Sequence, residues 1–132
     1  MSTYRHGEEG PLTTIEHDRP GWICVRMTYD HAGCRTLLHR HRFDHWMTVV
    51  SGAALIDIDN DRQIVRAGGR YLVEKGRAHS VVPLEPETVL LCEHEIRTEN
   101  GVLDPEAFSS DGIPVEWVRR LTETWGPGNV PR

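Results

Sequence analysis

Four histidines of this chain are spaced as the ligands of a single metal ion would be. His39 and His41 alternate, His45 follows four positions later, and His79 comes from a distant segment. Imidazole is the commonest protein ligand for transition metals such as zinc, iron, copper and nickel. The spacing therefore predicts a mononuclear metal centre.

Short strands would bring these side chains together. Because successive side chains of a strand point to opposite faces, His39 and His41 share one face, with their backbone positions about 6.8 Å apart. His45 begins the next strand after a short turn. His79 follows a turn that contains Gly76, where backbone freedom allows the histidine to be directed at the same point.

The segment between residues 22 and 96 alternates short apolar runs with turn signals, which predicts an all-β sandwich or barrel. The runs cover residues 22–28, 34–40, 45–50, 53–59, 63–66, 71–73, 79–83 and 88–96. The alternating run 55–59, followed by Asn60 and Asp61, predicts a β-hairpin, because Asn and Asp tolerate turn conformations.

The two ends of the chain depart from this pattern. Residues 1–20 are polar and aperiodic, and they predict a mobile arm or a strand that pairs with something else. The segment from Pro114 to Trp125 has helical periodicity and is followed by Gly126, which predicts a C-terminal amphipathic helix. We therefore expect an N-terminal arm (1–20), a barrel (21–100) and a C-terminal extension with a short helix (101–132).

Composition argues against several classes of function. A chain of 132 residues with 38% hydrophobic residues suits one compact domain with one core. A formal charge of −5 without a basic run argues against nucleic-acid binding. With no apolar leader and no run of about 20 apolar residues, we expect a cytoplasmic protein without membrane association. The three cysteines lack paired spacing, so we expect reduced thiols.

The histidine spacing is similar to the two motifs of the cupin superfamily. The first motif runs Gly, five residues, His-x-His, three or four residues, Glu, six residues, Gly, and is matched by Gly33, His39, His41, His45 and Gly52. The second motif runs Gly, five residues, Pro-x-Gly-x-x-His, three residues, Asn, and is matched by Gly68, Gly76 and His79, with Glu74 in place of its Pro and Pro83 in place of its Asn. The resemblance covers about half of the chain and implies a jelly-roll barrel, the double-stranded β-helix, around one metal ion.

The main departure from the family pattern is His45, which stands where the motif has its glutamate. A neutral set of four histidines would leave a divalent ion its full charge and favour an anionic substrate such as an enolate, carboxylate or phenolate. Some cupin-type polyketide cyclases and many uncharacterised bacterial and phage cupins look similar. The resemblance implies one divalent transition metal ion per subunit, with Zn, Fe, Ni and Mn as candidates. Four imidazoles fill a tetrahedral ion, whereas an octahedral ion keeps two positions open for catalysis.

Five further side chains are candidates for proton transfer or for the pocket. In the run 88–96, Cys92 and His94 share one face while Glu93 and Glu95 share the other, so either pair could face the barrel. A general base could then be Glu93, Glu95 or His94, and the alternatives are a solvated outer face and core packing. Tyr71 is the remaining catalytic candidate.

Substrate binding has two candidates, and two of their neighbours have open roles. Arg35 has the parity of the first two histidines and could clamp a substrate carboxylate, or it could reach solvent from a frayed strand start. Met47 would line the pocket, and Trp46 would face the opposite side. Asp44 either fixes the tautomer of a ligand imidazole or forms a turn.

Three functions are compatible with these residues. The first, which we adopt, is a metal-dependent enzyme that acts on a small organic molecule by isomerase, cyclase or lyase chemistry, or as a dioxygenase. The second is a non-catalytic module that binds a metal or a ligand. The third is a structural homodimer stabilised by its metal, and the cupin resemblance implies a dimer that exchanges N-terminal strands.

Overall fold

Two antiparallel β-sheets make up the computed structural model of the protein, which describes residues 3–5, 8–19, 22–41 and 43–95. Within these ranges the strands are β1 (Thr3–Arg5), β2 (Leu12–Arg19), β3 (Trp22–Tyr29), β4 (Thr36–His39), β5 (His45–Ser51), β6 (Ala53–Ile58), β7 (Asp61–Arg66), β8 (Arg70–Val73), β9 (His79–Pro83) and β10 (Thr88–Glu95). Each predicted strand is present, with its ends within two residues of the prediction. The predicted C-terminal helix lies outside the described residues.

The chain crosses repeatedly from one sheet to the other. The larger sheet has the order β1-β2-β3-β10-β5-β8, and the smaller sheet has the order β4-β9-β6-β7. From β4 to β10, successive strands alternate between the sheets, except where the β6–β7 hairpin stays within one. This winding is the double-stranded β-helix, and it confirms the predicted all-β fold. The described residues contain no helix long and apolar enough to span a membrane.

The hydrophobic core lies between the two sheets. Strand β5 alternates buried and accessible side chains over most of its length, and β10 does so throughout, which is the pattern of a strand with one face inward. Val25, Val49 and Leu90 of the larger sheet face Ile56 and Val81 of the smaller one, and all five are buried. Burying a side chain of this size fully contributes about 1.5–3 kcal/mol, so the inward face of each strand is strongly specified.

The β6–β7 hairpin turns at Asp59 and Asn60, whose φ angles are 49° and 70°. Two successive residues with positive φ make the type I′ turn that suits the twist of a hairpin. The side chain of Asp57 accepts the Asn60 N–H at 2.8 Å. The hairpin was predicted, but its turn lies one residue earlier than expected, because Asp61 already pairs with Ile58.

The glycines of the two motifs occupy turns that need them. Gly33, Gly52, Gly68 and Gly76 all have positive φ angles. Gly52 is required for a second reason besides its φ angle, because a Cβ there would lie 2.9 Å from the Cα atom of Thr88. These turns set where each strand begins, and hence which way its histidine points.

The N-terminal segment differs from a free arm over much of its length. Strand β2 pairs with β3 of the same chain over nearly its whole length, and β1 pairs with β2. The segment thus extends the larger sheet on the side of β3. Its residues 8–13 come to lie opposite β4, where they form one side of the cavity described below.

Candidate metal centre

Three of the four predicted ligands form a compact cluster. Each of His39, His41 and His79 offers a ring nitrogen within 4.8 Å of the other two. His39 at the end of β4 pairs directly with His79 at the start of β9, and His41 follows two residues later. His41 is 5% exposed and His79 only 1%. The burial of two imidazoles and the partial burial of the third require polar partners or a shared ion.

Backbone carbonyls fix the orientation of two of these rings. The Nδ1 of His39 donates to the carbonyl of Leu37 at 2.7 Å, and the Nδ1 of His79 donates to the carbonyl of Arg77 at 3.2 Å. In a neutral imidazole this leaves the Nε2 lone pair available to a metal. The fixed tautomer is the one that a ligand histidine needs.

The nitrogen spacing fits a shared ion. The Nε2 atoms of His39 and His41 lie 3.0 Å apart. With metal–nitrogen bonds of about 2.1 Å, two nitrogens on one ion are about 3.0 Å apart at a right angle and about 3.4 Å apart at a tetrahedral angle. The donor set, neutral imidazole nitrogen, suits Zn, Fe and Ni. The residues present therefore fit a transition metal.

His45 lies beside this cluster at the start of β5. Its ring centroid is 4.9 Å from that of His41 and 4.8 Å from that of His79, and the side chain is 4% exposed. It is not a member of the three-nitrogen set. The predicted fourth ligand is thus adjacent to the other three and buried with them.

The turn before β9 is tied to the loop that carries His41. The Gly76 N–H donates to the His41 carbonyl at 2.7 Å, and the Lys75 N–H donates to the carboxylate of Asp44 at 2.7 Å. Asp44 is exposed, so the structure gives it the turn-forming role that the sequence left open. The two histidine-bearing segments are therefore held at a fixed separation.

A second carboxylate holds the other end of this turn. Asp59 accepts the Nε–H of Arg77 at 2.9 Å and the Ala78 N–H at 3.0 Å. The guanidinium of Arg77, followed by the Ala78 N–H, holds the pKa of Asp59 below its usual range. His79 follows directly, so the hairpin turn at Asp59 helps to place it.

Phe43 connects the cluster to a further buried histidine, His94. Its ring stacks on His41 with centroids 4.7 Å apart and on His94 with centroids 4.3 Å apart. His94 is 1% exposed, and its Nδ1 donates to the carbonyl of Glu95 at 2.8 Å. The sequence interpretation did not single out Phe43, which contacts both rings. The only available signal was an aromatic residue two positions after a predicted ligand.

The histidines face a cavity of about 610 Å³. We call the ligand cluster His39, His41, His45 and His79 its floor. The walls are Gly10, Pro11, Thr13, Met27, Thr36, Met47 and Cys92, and the mouth consists of Glu8, Glu9, Arg35, Leu37, Leu38 and Arg40. All six mouth residues are exposed. This volume suits a small organic ligand.

The acid–base candidates lie away from this cavity. In β10 the buried face carries Cys92 and His94, whereas Glu93 and Glu95 lie on the other face. Cys92 lines the cavity, but His94 is separated from His41 by Phe43. The burial pattern of β10 thus settles which pair faces inward, and it is the pair without the carboxylates.

Tyr71 also lies outside the floor, walls and mouth of the cavity. Its hydroxyl donates to the sulfur of Met47 at 3.4 Å, and it lines a separate cavity of about 210 Å³ beside β6 and β7. Burial raises the pKa of Tyr71 far above its usual range. The described structure gives it a packing role behind Met47.

The two predicted substrate-binding residues have different surroundings. Met47 is 2% exposed and forms part of the cavity wall, while its neighbour Trp46 faces the other side with Arg70 over its ring at 3.9 Å. Arg35 lies at the mouth, where its guanidinium contacts the carboxylate of Glu9 at 3.1 Å. An irregularity in the β4 ladder between residues 36 and 39 breaks the parity on which the inward orientation of Arg35 depended.

A second group of potential ligands consists of Asp30, His31 and Cys34. The carboxylate of Asp30 contacts the guanidinium of Arg5 at 2.7 Å, which places a positive charge beside the group. Burial raises the pKa of the Cys34 thiol, which keeps it protonated near neutral pH. This group is therefore poorly suited to a cation compared with the histidine floor.

Comparison with known families decides the relationship that the motifs suggested. Residues 25–92, just over half of the chain, match the sequence model of the cupin domain family. The chain belongs to the cupin family. No protein of curated function matches the sequence of this cupin. Its histidine cluster, in a fold that commonly binds transition metals, supports a metal-binding cupin.

Solved structures similar to this cupin agree on its fold. KdgF from Halomonas sp. has a TM-score of 0.65 at 21% identity, covering 76% of this chain and 90% of that one. An RmlC-like cupin from Shewanella frigidimarina has a TM-score of 0.62 at 19% identity, covering 75% and 86%. The Cnp3 cupin domain of Schizosaccharomyces pombe has a TM-score of 0.61 at 12% identity, covering 86% and 77%. At these identities the likeness is one of fold alone.

Proposed function

We propose that this cupin binds one divalent transition metal ion at the floor of its cavity and acts as an enzyme on a small organic substrate. His39, His41 and His79 would hold the ion, with His45 as the fourth ligand and Zn, Fe, Ni or Mn as the metal. The observation that carries this proposal is the set of three ring nitrogens within 4.8 Å of one another, two of them on rings held by backbone carbonyls.

The bound ion and the protein would make different contributions to catalysis. A bound ion supplies Lewis-acid polarisation of a substrate oxygen, and iron would add oxygen chemistry. His39 and His79, whose tautomers are fixed by backbone carbonyls, would hold the ion in a defined orientation. The walls, of which Thr13, Met47 and Cys92 are buried, exclude water from the reacting end of the substrate.

A specific observation also favours the non-catalytic alternative, a cupin that binds a metal or ligand without turnover. Of the acid–base candidates, Glu93 and Glu95 lie on the outer face, Tyr71 packs behind Met47, and His94 lies behind Phe43. Among the described cavity residues the carboxylates are Glu8 and Glu9, both at the exposed mouth. An enzyme of this design would need the ion or the substrate to provide the base.

Elemental analysis of untagged protein tests the metal proposal. We expect about one transition metal ion per chain in the wild type and a strong loss in His41→Ala. His31→Ala is the matched control, because it removes an exposed histidine of the second ligand group. Equal metal content in wild type and His41→Ala, or a loss confined to His31→Ala, would assign the metal to another place.

The coordination number of the bound ion separates the enzyme from the sealed binding module. X-ray absorption spectroscopy of the loaded protein would give a six-coordinate ion with solvent ligands for an enzyme, and a closed four-imidazole ion for a module. We also propose the homodimer and the cytoplasmic location expected from the sequence. Sedimentation of the purified chain and fractionation of the native host would test them.

A further inference from the structure

We infer that the cavity above the histidine floor selects a ligand with one metal-binding head group and an apolar body, and that it rejects a second negative charge on that body. The inference rests on the metal centre proposed above, and it goes further by naming the class of ligand. It changes the role expected for Arg35, which the sequence had suggested as a clamp for a substrate carboxylate.

The described walls of the cavity are uncharged. Met27, Met47 and Cys92 present sulfur and carbon atoms, and Met47 and Cys92 are at most 3% exposed. The hydroxyl of Thr13 donates to the carbonyl of Pro11 at 3.2 Å, so its proton is already engaged. Thr36 also lines the cavity, and its hydroxyl shares a hydrogen bond with the hydroxyl of Tyr29 at 2.7 Å. A carboxylate held against these walls would lose its hydration and would find no cationic donor in them.

The mouth offers no excess of positive charge to offset this loss. Its ionised side chains are two carboxylates, Glu8 and Glu9, and two guanidiniums, Arg35 and Arg40. Arg35 is already bound by Glu9, through its Nη2 at 3.1 Å and its Nε at 3.2 Å. Arg40 is exposed, where water and salt screen its field. The charges of these mouth residues therefore balance.

The floor has the opposite preference. Imidazole ligands are neutral, so a divalent ion bound there would keep its positive charge and attract one anionic or strongly polar head group. Above it, the flexible thioethers of Met27 and Met47 can adapt to an irregular apolar shape. The cavity thus combines a polar floor with adaptable apolar walls, which fits a ligand with one polar end.

A matched pair of hydroxamates measures this preference directly. 3-Isopropylbenzohydroxamate and 3-carboxybenzohydroxamate share the metal-binding head, and their branched substituents have equal numbers of heavy atoms. Isothermal titration of the full, untagged, zinc-loaded chain should give a dissociation constant at least about tenfold lower for the isopropyl compound. Zinc content measured after each titration checks that the probe has not extracted the metal.

A wall variant tests which residues set the preference. Met27→Lys places a cation in the wall from a half-buried position. It should strengthen binding of the carboxy compound and bring the two dissociation constants closer together. Met27→Leu is the volume-matched control and should keep the wild-type ratio. If Met27→Lys does not fold, the comparison on the wild-type chain still decides the question.

The possible failures are distinguishable. A chain that takes up no zinc contradicts the proposed function, and the inference fails with it. A fully zinc-loaded chain that binds both hydroxamates equally, or the carboxy compound more tightly, leaves the metal centre standing and overturns this inference alone. An unchanged ratio in Met27→Lys would overturn the assignment of the preference to the walls.

Discussion

The floor of the cavity and its mouth are built by opposite means. At the floor, the half-buried His39 and the buried His79 donate to backbone carbonyls, and the turn that leads to His79 is held by carboxylates that accept backbone N–H groups. At the mouth, the exposed side chains of Arg35 and Glu9 form a direct ion pair that is open to solvent. The floor is therefore held mainly by hydrogen bonds to the backbone, and the mouth by contacts between exposed side chains. Substitutions in the walls and the mouth could therefore change which ligand binds while the metal-binding histidines stay in place.

The floor itself divides into three preassembled ligands and one neighbour. His79→Ala removes a member of the three-nitrogen set and should lower zinc affinity more than about 100-fold. This loss exceeds the roughly 10–100-fold typical of removing a residue that only hydrogen-bonds to a metal ligand. His45→Ala removes the adjacent imidazole and should lower it by about tenfold. Competition with a fluorescent zinc chelator measures both affinities.

His45→Glu sharpens the same comparison, because it supplies the carboxylate that the cupin motif has at this position. Its zinc affinity should be closer to wild type than that of His45→Ala, since a carboxylate oxygen can also bind the ion. If His45→Ala and His45→Glu both bind zinc as the wild type does, position 45 is not a ligand position. Equal losses in His79→Ala and His45→Ala would make the four histidines equivalent.

Phe43 should be the next most sensitive position of the floor. Its ring stacks between His41 and His94, and such aromatic contacts contribute about 0.5–1.5 kcal/mol beyond buried area. Phe43→Leu should therefore lower zinc affinity by about threefold to tenfold and lower the free energy of unfolding by about 1 kcal/mol. Phe43→Tyr keeps the stacked ring and should stay near wild type. A loss of stability without a change in zinc affinity would mean that Phe43 supports the fold but does not position His41.

The floor was largely predictable from the sequence, because its information is local. Strand alternation placed His39 and His41 together, and the motif glycines with positive φ set the turns around them. Alternation also defined the two possible faces of β10. Only the structure could choose between them, because the choice depends on the pairing of His94 with His45 in the neighbouring strand.

The mouth was not predictable for the opposite reason. Arg35 meets Glu9, a residue 26 positions away that lies before β2, and nothing in the local pattern indicates that pairing. The irregular pairing within β4 also breaks the parity rule, which holds only while a strand stays regular. Contacts between distant segments and ladder irregularities are tertiary features, so single-sequence patterns carry little information about them.

Two exposed carboxylates, one in contact with the turn before His79 and one at the mouth, give the comparison with the smallest expected effects. Asp44 accepts the Lys75 N–H at 2.7 Å in the turn that leads to His79, whereas Glu9 binds a side chain at the mouth. Asp44→Ala should lower the free energy of unfolding by about 1 kcal/mol, because a backbone donor loses its acceptor. Glu9→Ala should change it by less than about 0.5 kcal/mol, because solvent screens the surface ion pair.

Urea denaturation of the metal-free chains measures the two free energies of unfolding. Competition with the fluorescent zinc chelator shows whether either substitution alters zinc binding by the floor histidines. Asp44→Ala should weaken zinc binding a few-fold, because the turn before His79 becomes looser, and Asp44→Asn should restore it by keeping an acceptor oxygen. Glu9→Ala should leave zinc affinity unchanged. If the two alanine variants change stability and zinc binding equally, the mouth is as firmly coupled to the ligands as the floor, and the division between them fails.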